Sequence, residues 1–188
     1  MNWKEIWERK GNTESKNLKT LDGFESTNID PEQVANKIME ALKIRPNDSV
    51  LEIGCGAGML AQYIAPKCKY TGIDFSVSSI KKHKQLLGNK VFVADANKLP
   101  FEDNEFDKTF SYSVFHYFPD FTYVGEVMEE IRRVTKGIFL IGDLPMVSHD
   151  ENHLLFNVKY FEEESIFSIG YYNGDRFNVL IKWKDEYY

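Results

Sequence analysis

With 188 residues, 43% of them hydrophobic and 14% aromatic, the chain is long enough to bury one substantial core and too short for two domains of ordinary size. Its 23 basic against 29 acidic residues give a formal charge of -6, opposite to the basic footprint of a nucleic-acid binder. No apolar run reaches the roughly 18 residues of a membrane span, the start Met1-Asn2-Trp3-Lys4-Glu5 lacks the apolar centre of a signal peptide, and Cys55 and Cys68 read as reduced thiols of a cytoplasmic protein.

Trp3 and Trp7 stand four apart, so one helical face carries both. Asp30-Pro31 is a cap followed by a first-turn proline, and Val34, Ile38 and Leu42 recur every four residues, which predicts a helix laid on a sheet. The turn Pro46-Asn47-Asp48 delivers a first strand at about 49–53, and a helix runs from Met59 to Ile64. Its N-terminus, partly positive, suits the carboxylate of a bound amino acid. Tyr70 to Asp74 and Val91 to Asp95 read as the second and third strands, each ending in an acid, and Phe106 to Tyr112 as the fourth. Between them, Lys81-Lys82-His83-Lys84 is the densest basic run and reads as a solvated helix face.

Val124, Val127, Met128, Ile131 and Val134 share one stripe of a helix at about 121–135, and Gly137 to Asp143 is a buried-strand run stopped by Pro145. Ile166 to Tyr171 and Phe177 to Trp183 flank Asn173-Gly174, a hairpin signal. Strands alternating with helices predict an α/β fold, a doubly wound, mostly parallel sheet with helices on both faces. Neither a Cys/His cluster nor a His-Glu-x-x-His run occurs, so no protein-bound metal is expected.

The densest chemical signal is Val50-Leu51-Glu52-Ile53-Gly54-Cys55-Gly56-Ala57-Gly58, a strand feeding a glycine-rich turn with a carboxylate at its mouth. Met59 stands where a dinucleotide fingerprint would continue, and no Gly-Lys-Ser/Thr run makes a phosphate loop. Asp74 follows Glu52 by about one helix and one strand, and a carboxylate there can accept both hydroxyls of a ribose, although Asp74 taken alone reads more readily as a cap of the next helix, in competition with Ser76.

Glu52-x-Gly54-x-Gly56-x-Gly58, then Asp74, Asp95 and Phe106 to Tyr112 in that order, resemble the motifs of the class I S-adenosylmethionine (AdoMet) dependent methyltransferases over roughly residues 30–143. The resemblance implies a Rossmann-like, seven-stranded sheet with an antiparallel C-terminal hairpin. It places Glu52, Gly54, Cys55, Gly56 and Gly58 at the amino-acid part of AdoMet, Asp74, Phe75 and Ser76 at the ribose, and Asp95, Ala96 and Asn97 at the adenine. Ser111 and Tyr112 fall under the methionine part. S-adenosylhomocysteine (AdoHcy) would be the product.

On this reading residues 1–29 form a lid segment, 30–143 the cofactor-binding core, and 144–188 the acceptor loop and hairpin. His116, on the loop after the fourth strand, is the candidate base for a hydroxyl or amine acceptor. His149 and His153 are further candidates on the loop after the fifth. Phe110, Tyr112, Phe115, Tyr117, Phe118, Phe121 and Tyr123 divide between core and pocket wall. The Asn/Asp-Pro-Pro-Tyr/Phe signature of nucleic-acid and glutamine methyltransferases is replaced by Ser111-Tyr112-Ser113-Val114, and little chain is left for a capping domain, which favours a small-molecule acceptor. The alternatives are a protein or RNA methyltransferase, and a non-catalytic AdoMet-binding module acting with a partner. The oligomeric state stays open.

Overall fold

A computed structural model describes residues 2–147, 152–161, 165–167 and 175–182. Its seven strands are β1 Ser49–Ile53, β2 Lys69–Asp74, β3 Val91–Val93, β4 Phe106–Tyr112, β5 Thr135–Pro145, β6 Ser165–Phe167 and β7 Arg176–Lys182. They form one sheet in the order β3-β2-β1-β4-β5-β7-β6, in which β7 runs antiparallel to both of its neighbours. The expected parallel sheet with an antiparallel C-terminal pair is the observed architecture. The Asn173-Gly174 turn lies outside the described residues.

Six helices cover the sheet: α1 Trp3–Gly11, α2 Leu18–Leu21, α3 Pro31–Leu42, α4 Ala61–Ile64, α5 Val77–Leu86 and α6 Phe121–Val134. Asp30 caps α3 by accepting the N–H groups of Glu32 and Gln33. The buried stripe of α3, Val34, Ala35, Ile38 and Leu42, shares a core with Val50, Phe110 and Leu140. On the opposite face Leu51, Ile53, Phe139 and Ile141 meet Val127, Ile131 and Val134 of α6. Alternate residues of β1 thus enter different cores, which is why the strand is apolar nearly throughout.

Three boundaries differ from the sequence expectation. β3 stops at Val93, because its one partner, β2, ends opposite it at Asp74, so Asp95 sits in the following loop. β5 begins at Thr135, whose pairing with Phe106 extends the strand across a bulge. Finally, α4 is a single turn beginning at Ala61. Strand order reverses between β1 and β4, where their carboxyl ends part and leave a crevice.

Candidate cofactor and acceptor site

β1 carries the chain into the glycine turn at that crevice. Gly54 and Gly56 have φ values of 76° and 50°, left-handed backbone that side chains rarely adopt. A Cβ on Gly54 would collide with Val114, and one on Gly56 with the Asp22 carboxylate. Every backbone N–H from Gly54 to Met59 already has an acceptor. Gly54 and Cys55 donate to the Ile73 carbonyl at 2.8 and 2.9 Å, and Gly56 donates to Asp74 Oδ2 at 3.0 Å. Ala57, Gly58 and Met59 donate to the Asp22 carboxylate at 2.7, 3.1 and 2.8 Å. The N-terminus of the helix after the turn was expected to receive a ligand carboxylate, and the Asp22 carboxylate takes the N–H groups that lead into it. From below, buried His83 holds the turn. Asn89 Nδ2 lies 3.1 Å from its Nε2, so Nδ1 carries the proton and donates to the Gly56 carbonyl at 3.1 Å. His83 therefore leaves the solvated face expected of the lysine-rich run, while Lys81 and Lys84 stay exposed.

A cavity of about 660 Å³ opens over this turn, within the range of small-molecule sites. Glu52, Asp74 and Asp95 all line it, together with Asp22 and Lys4. Glu52 is buried, and its Oε2 accepts from the Tyr70 hydroxyl at 2.5 Å. Burial pushes this carboxyl well above its ordinary range, and the negative charges of Asp22 and Asp74 add to the push against the tyrosine hydrogen bond. Burial likewise raises Asp74 to about 6, against the pull of its hydrogen bonds from Ser76 and Gly56. Asp22 is raised to about 7, again by burial first, with Asp74 adding to it and the three turn N–H groups opposing. Asp95 is half exposed at the rim and pairs with Lys4 at 3.1 Å.

The N-terminal segment roofs the cavity. Glu8 accepts from the N–H groups of Val77 and Ser78 at 2.6 and 3.2 Å, docking α1 on the start of α5. Lys19 Nζ donates to the carbonyls of Thr27 and Ile29, which fixes the loop carrying Asp22. Trp3 and Trp7 line the cavity from above, their rings 4.7 and 5.3 Å from that of Tyr117.

A second cavity, about 300 Å³, adjoins the first and shares Trp7, Asp22, Phe24, Ser113 and Tyr117 with it. His116 and Asp143 are its buried titratable side chains, at 1% and 3% exposure. Two departures from ordinary backbone meet here, since Ser113 and Asp143 have φ values of 59° and 64° at the carboxyl ends of β4 and β5. Asp143 Oδ2 pairs with Arg176 at 2.9 Å, whereas its buried Oδ1 has no close hydrogen bond among the described residues, although the Ser113 hydroxyl also acts on the carboxyl. Burial raises the carboxyl to about 6, with Arg176 and the Ser113 hydroxyl pulling it down.

Of the residues expected at the cofactor, Glu52, Gly54, Cys55, Gly56, Asp74, Phe75, Asp95, Ala96 and Tyr112 line the first cavity. Gly58, Ser76, Asn97 and Ser111 do not. The space beside Gly58 faces Leu87 and His83, and Ser76 caps α5 by accepting from Ser79 N–H. Asn97 donates to Glu126, and Ser111 is fully buried with its hydroxyl on the Ile53 carbonyl. His116 borders the second cavity alone, and His149 lies outside the described residues. His153 stacks on Trp3 at 5.0 Å. Asp22, Lys4 and Glu8 escaped the sequence reading because their partners lie 35 to 91 positions away. Asp143 did carry a signal, an acid ending a strand like Asp74.

A seven-stranded sheet in this order, with a glycine turn and strand-end acids around one apolar-walled cavity, defines a doubly wound nucleoside-cofactor fold. Residues 51–141 match the profile of the family described as Methyltransferase domain. The sterol 4-C-methyltransferase of Caenorhabditis elegans is 33% identical over 117 residues, covering 57% of this chain and 34% of that protein. The fatty-acid O-methyltransferase of Mycolicibacterium smegmatis is 33% identical over 102 residues, covering 50% and 36%. Among solved structures, a putative AdoMet-dependent methyltransferase of Methanococcus maripaludis superposes with a TM-score of 0.69 at 19% identity, covering 93% of this chain and 98% of that one. Residues 51–141 thus match a Methyltransferase domain, and the fold is the one found in AdoMet-dependent methyltransferases. The chain spans about a third of the length of these two curated relatives. The cavity suits the cofactor of that family, because four acids and a single cation, Lys4, line it among the described residues and a sulfonium ligand is cationic.

Proposed function

We infer that the chain transfers the methyl group of AdoMet to a small molecule seated in the second cavity. The observation that carries this reading is the shared wall of the two cavities at Ser113 and Tyr117, which sets an acceptor in the second beside a cofactor in the first. AdoMet supplies an electrophilic methyl on a sulfonium sulfur, so the protein's task is alignment and exclusion of water. Asp74 accepts from the ribose hydroxyls, each carboxylate oxygen retaining a lone pair beyond its backbone N–H bond. Asp95 and Ala96 meet the adenine edge, and Trp3 and Trp7 close the roof.

The second cavity is small, and Ser113, His116, Asp143 and Arg176 line it beside Trp7, Phe24 and Tyr117, which favours a compact acceptor that carries a polar group. Relatives named for sterol, fatty-acid and malonyl-[acyl-carrier protein] methylation support a non-nucleic-acid acceptor and leave oxygen, nitrogen and carbon as target atoms. For a hydroxyl or amine acceptor, Asp143 Oδ1 is better placed than His116 to take the proton, because Arg176 anchors its other oxygen and the carboxyl is ionised at neutral pH. His116 then orients the acceptor.

Incubation with isotope-labelled AdoMet and a metabolite extract tests the reading. One compound should gain the mass of a CH₂ group together with the label. If AdoHcy binds tightly while no compound is labelled, the chain is a binding module instead.

A further inference from the structure

Ligand tails are usually recognised at a glycine turn by its N–H groups, and here none is left. From Gly54 to Met59 all six donate within the protein, three of them to Asp22. The charged side chains that line the cavity are Asp22, Glu52, Asp74, Asp95 and Lys4, and Lys4 is already paired with Asp95. Among the charged side chains of the described lining, an amino-acid tail entering this space therefore meets four carboxylates and one ammonium, Lys4, held at the rim by Asp95.

We propose that this chain holds its cofactor's tail by the α-ammonium group, on the Asp22 carboxylate, and offers the α-carboxylate no cation of its own among the described residues, so that a decarboxylated adenosyl cofactor binds about as well as the ordinary one. The inference rests on the cofactor reading above and goes beyond it, to which end of the tail is read. Three of the four lone pairs of Asp22 are taken by the turn, and one remains for an ammonium donor. Glu52 lines the same cavity. The raised pKa of Asp22 points the same way, since a carboxyl that binds a proton when alone gains from exchanging it for a fixed cation. Asp22 also ties the roof to the turn, so the cofactor tail and the N-terminal segment meet at one carboxylate.

Calorimetry on the full chain with three defined adenosyl thioethers tests this. They are AdoHcy, its decarboxylated 3-aminopropyl counterpart, and methylthioadenosine, which lacks the tail. The aminopropyl compound should bind within about fivefold of AdoHcy, and methylthioadenosine at least about tenfold more weakly, the value of one hydrogen bond to a charged group. Asp22→Asn should weaken the first two by about tenfold or more and leave methylthioadenosine unchanged. A tenfold or greater loss on removing the carboxylate from the ligand overturns the proposal without recourse to any variant. So does an Asp22→Asn chain that binds all three as wild type does, or that loses all three equally, which marks a purely structural clasp. Failure of all three compounds to bind wild type overturns the cofactor reading itself.

Discussion

Asp22 fills the notch that Gly56 leaves open, and a Cβ at that position would strike its carboxylate. The N-terminal roof and the cofactor turn are thus fitted to each other through one missing side chain. Gly56→Ala should lose about 1–3 kcal/mol of stability, from the left-handed backbone and the displaced acid. Urea titration should read that loss, and calorimetry a fall in AdoHcy affinity of at least about tenfold. A variant as stable as wild type would mean that Asp22 does not sit in the notch in solution.

Asp74→Ala should weaken AdoHcy binding by about 100-fold, since two hydrogen bonds from the ribose to a buried carboxylate are lost together. The same variant also frees the Gly56 and Ser76 N–H groups, so circular dichroism must accompany the titration. Unchanged affinity would remove Asp74 from the ribose.

Once an acceptor is found, Asp143→Asn should lower kcat by about 10²–10⁴ while AdoHcy affinity holds, the range for loss of a positioned proton acceptor. The wild-type rate should rise with pH through about 6, as Asp143 ionises, and the variant should lack that limb. Arg176, Ser113, His116, Asp175 and Asp22 share that cavity, so His116→Ala serves as the control. It should affect KM more than the pH profile.

Ligand-free protein should lose stability as pH rises from about 6.5 to 8. Asp22 at about 7 binds its proton more tightly folded than unfolded across this window, while Asp74 and Asp143 at about 6 lose theirs mainly below it. For such groups the stabilisation is complete below the unfolded value and is lost as pH climbs through the folded one. Below 6.5 the lowered pKa of buried His83 runs the other way, because the unfolded chain takes up that proton first. Differential scanning fluorimetry across this window should show a falling Tm for wild type and a flatter trace for Asp22→Asn. A Tm that rises over the same interval would contradict the buried-acid cluster.

Local patterns made the strands, the α3 cap and the glycine turn legible, because each is a property of neighbours in sequence: Asp30-Pro31 caps, and Val50 to Ile53 alternates between two cores. Asp74 was legible for the same reason, as β2 delivers it directly to the crevice, whereas Asp95 falls in the loop past β3. What stayed hidden was long-range. Nothing around Leu21-Asp22-Gly23 announces that its carboxylate closes on Met59, 37 positions away. The reading of His83 failed because the lysines around it set the average character of its helix, while one inward-facing position was decided by the Gly56 carbonyl. Ser111 looked like a ligand contact by position alone, and its inward direction spends its hydroxyl on β1.

A crystal structure of the chain with AdoHcy tests the placement most directly. The adenosyl group should lie in the larger cavity with its ribose hydroxyls within hydrogen-bond distance of Asp74 and its adenine beside Asp95 and Ala96. AdoHcy bound elsewhere, or a ribose turned away from Asp74, would contradict it.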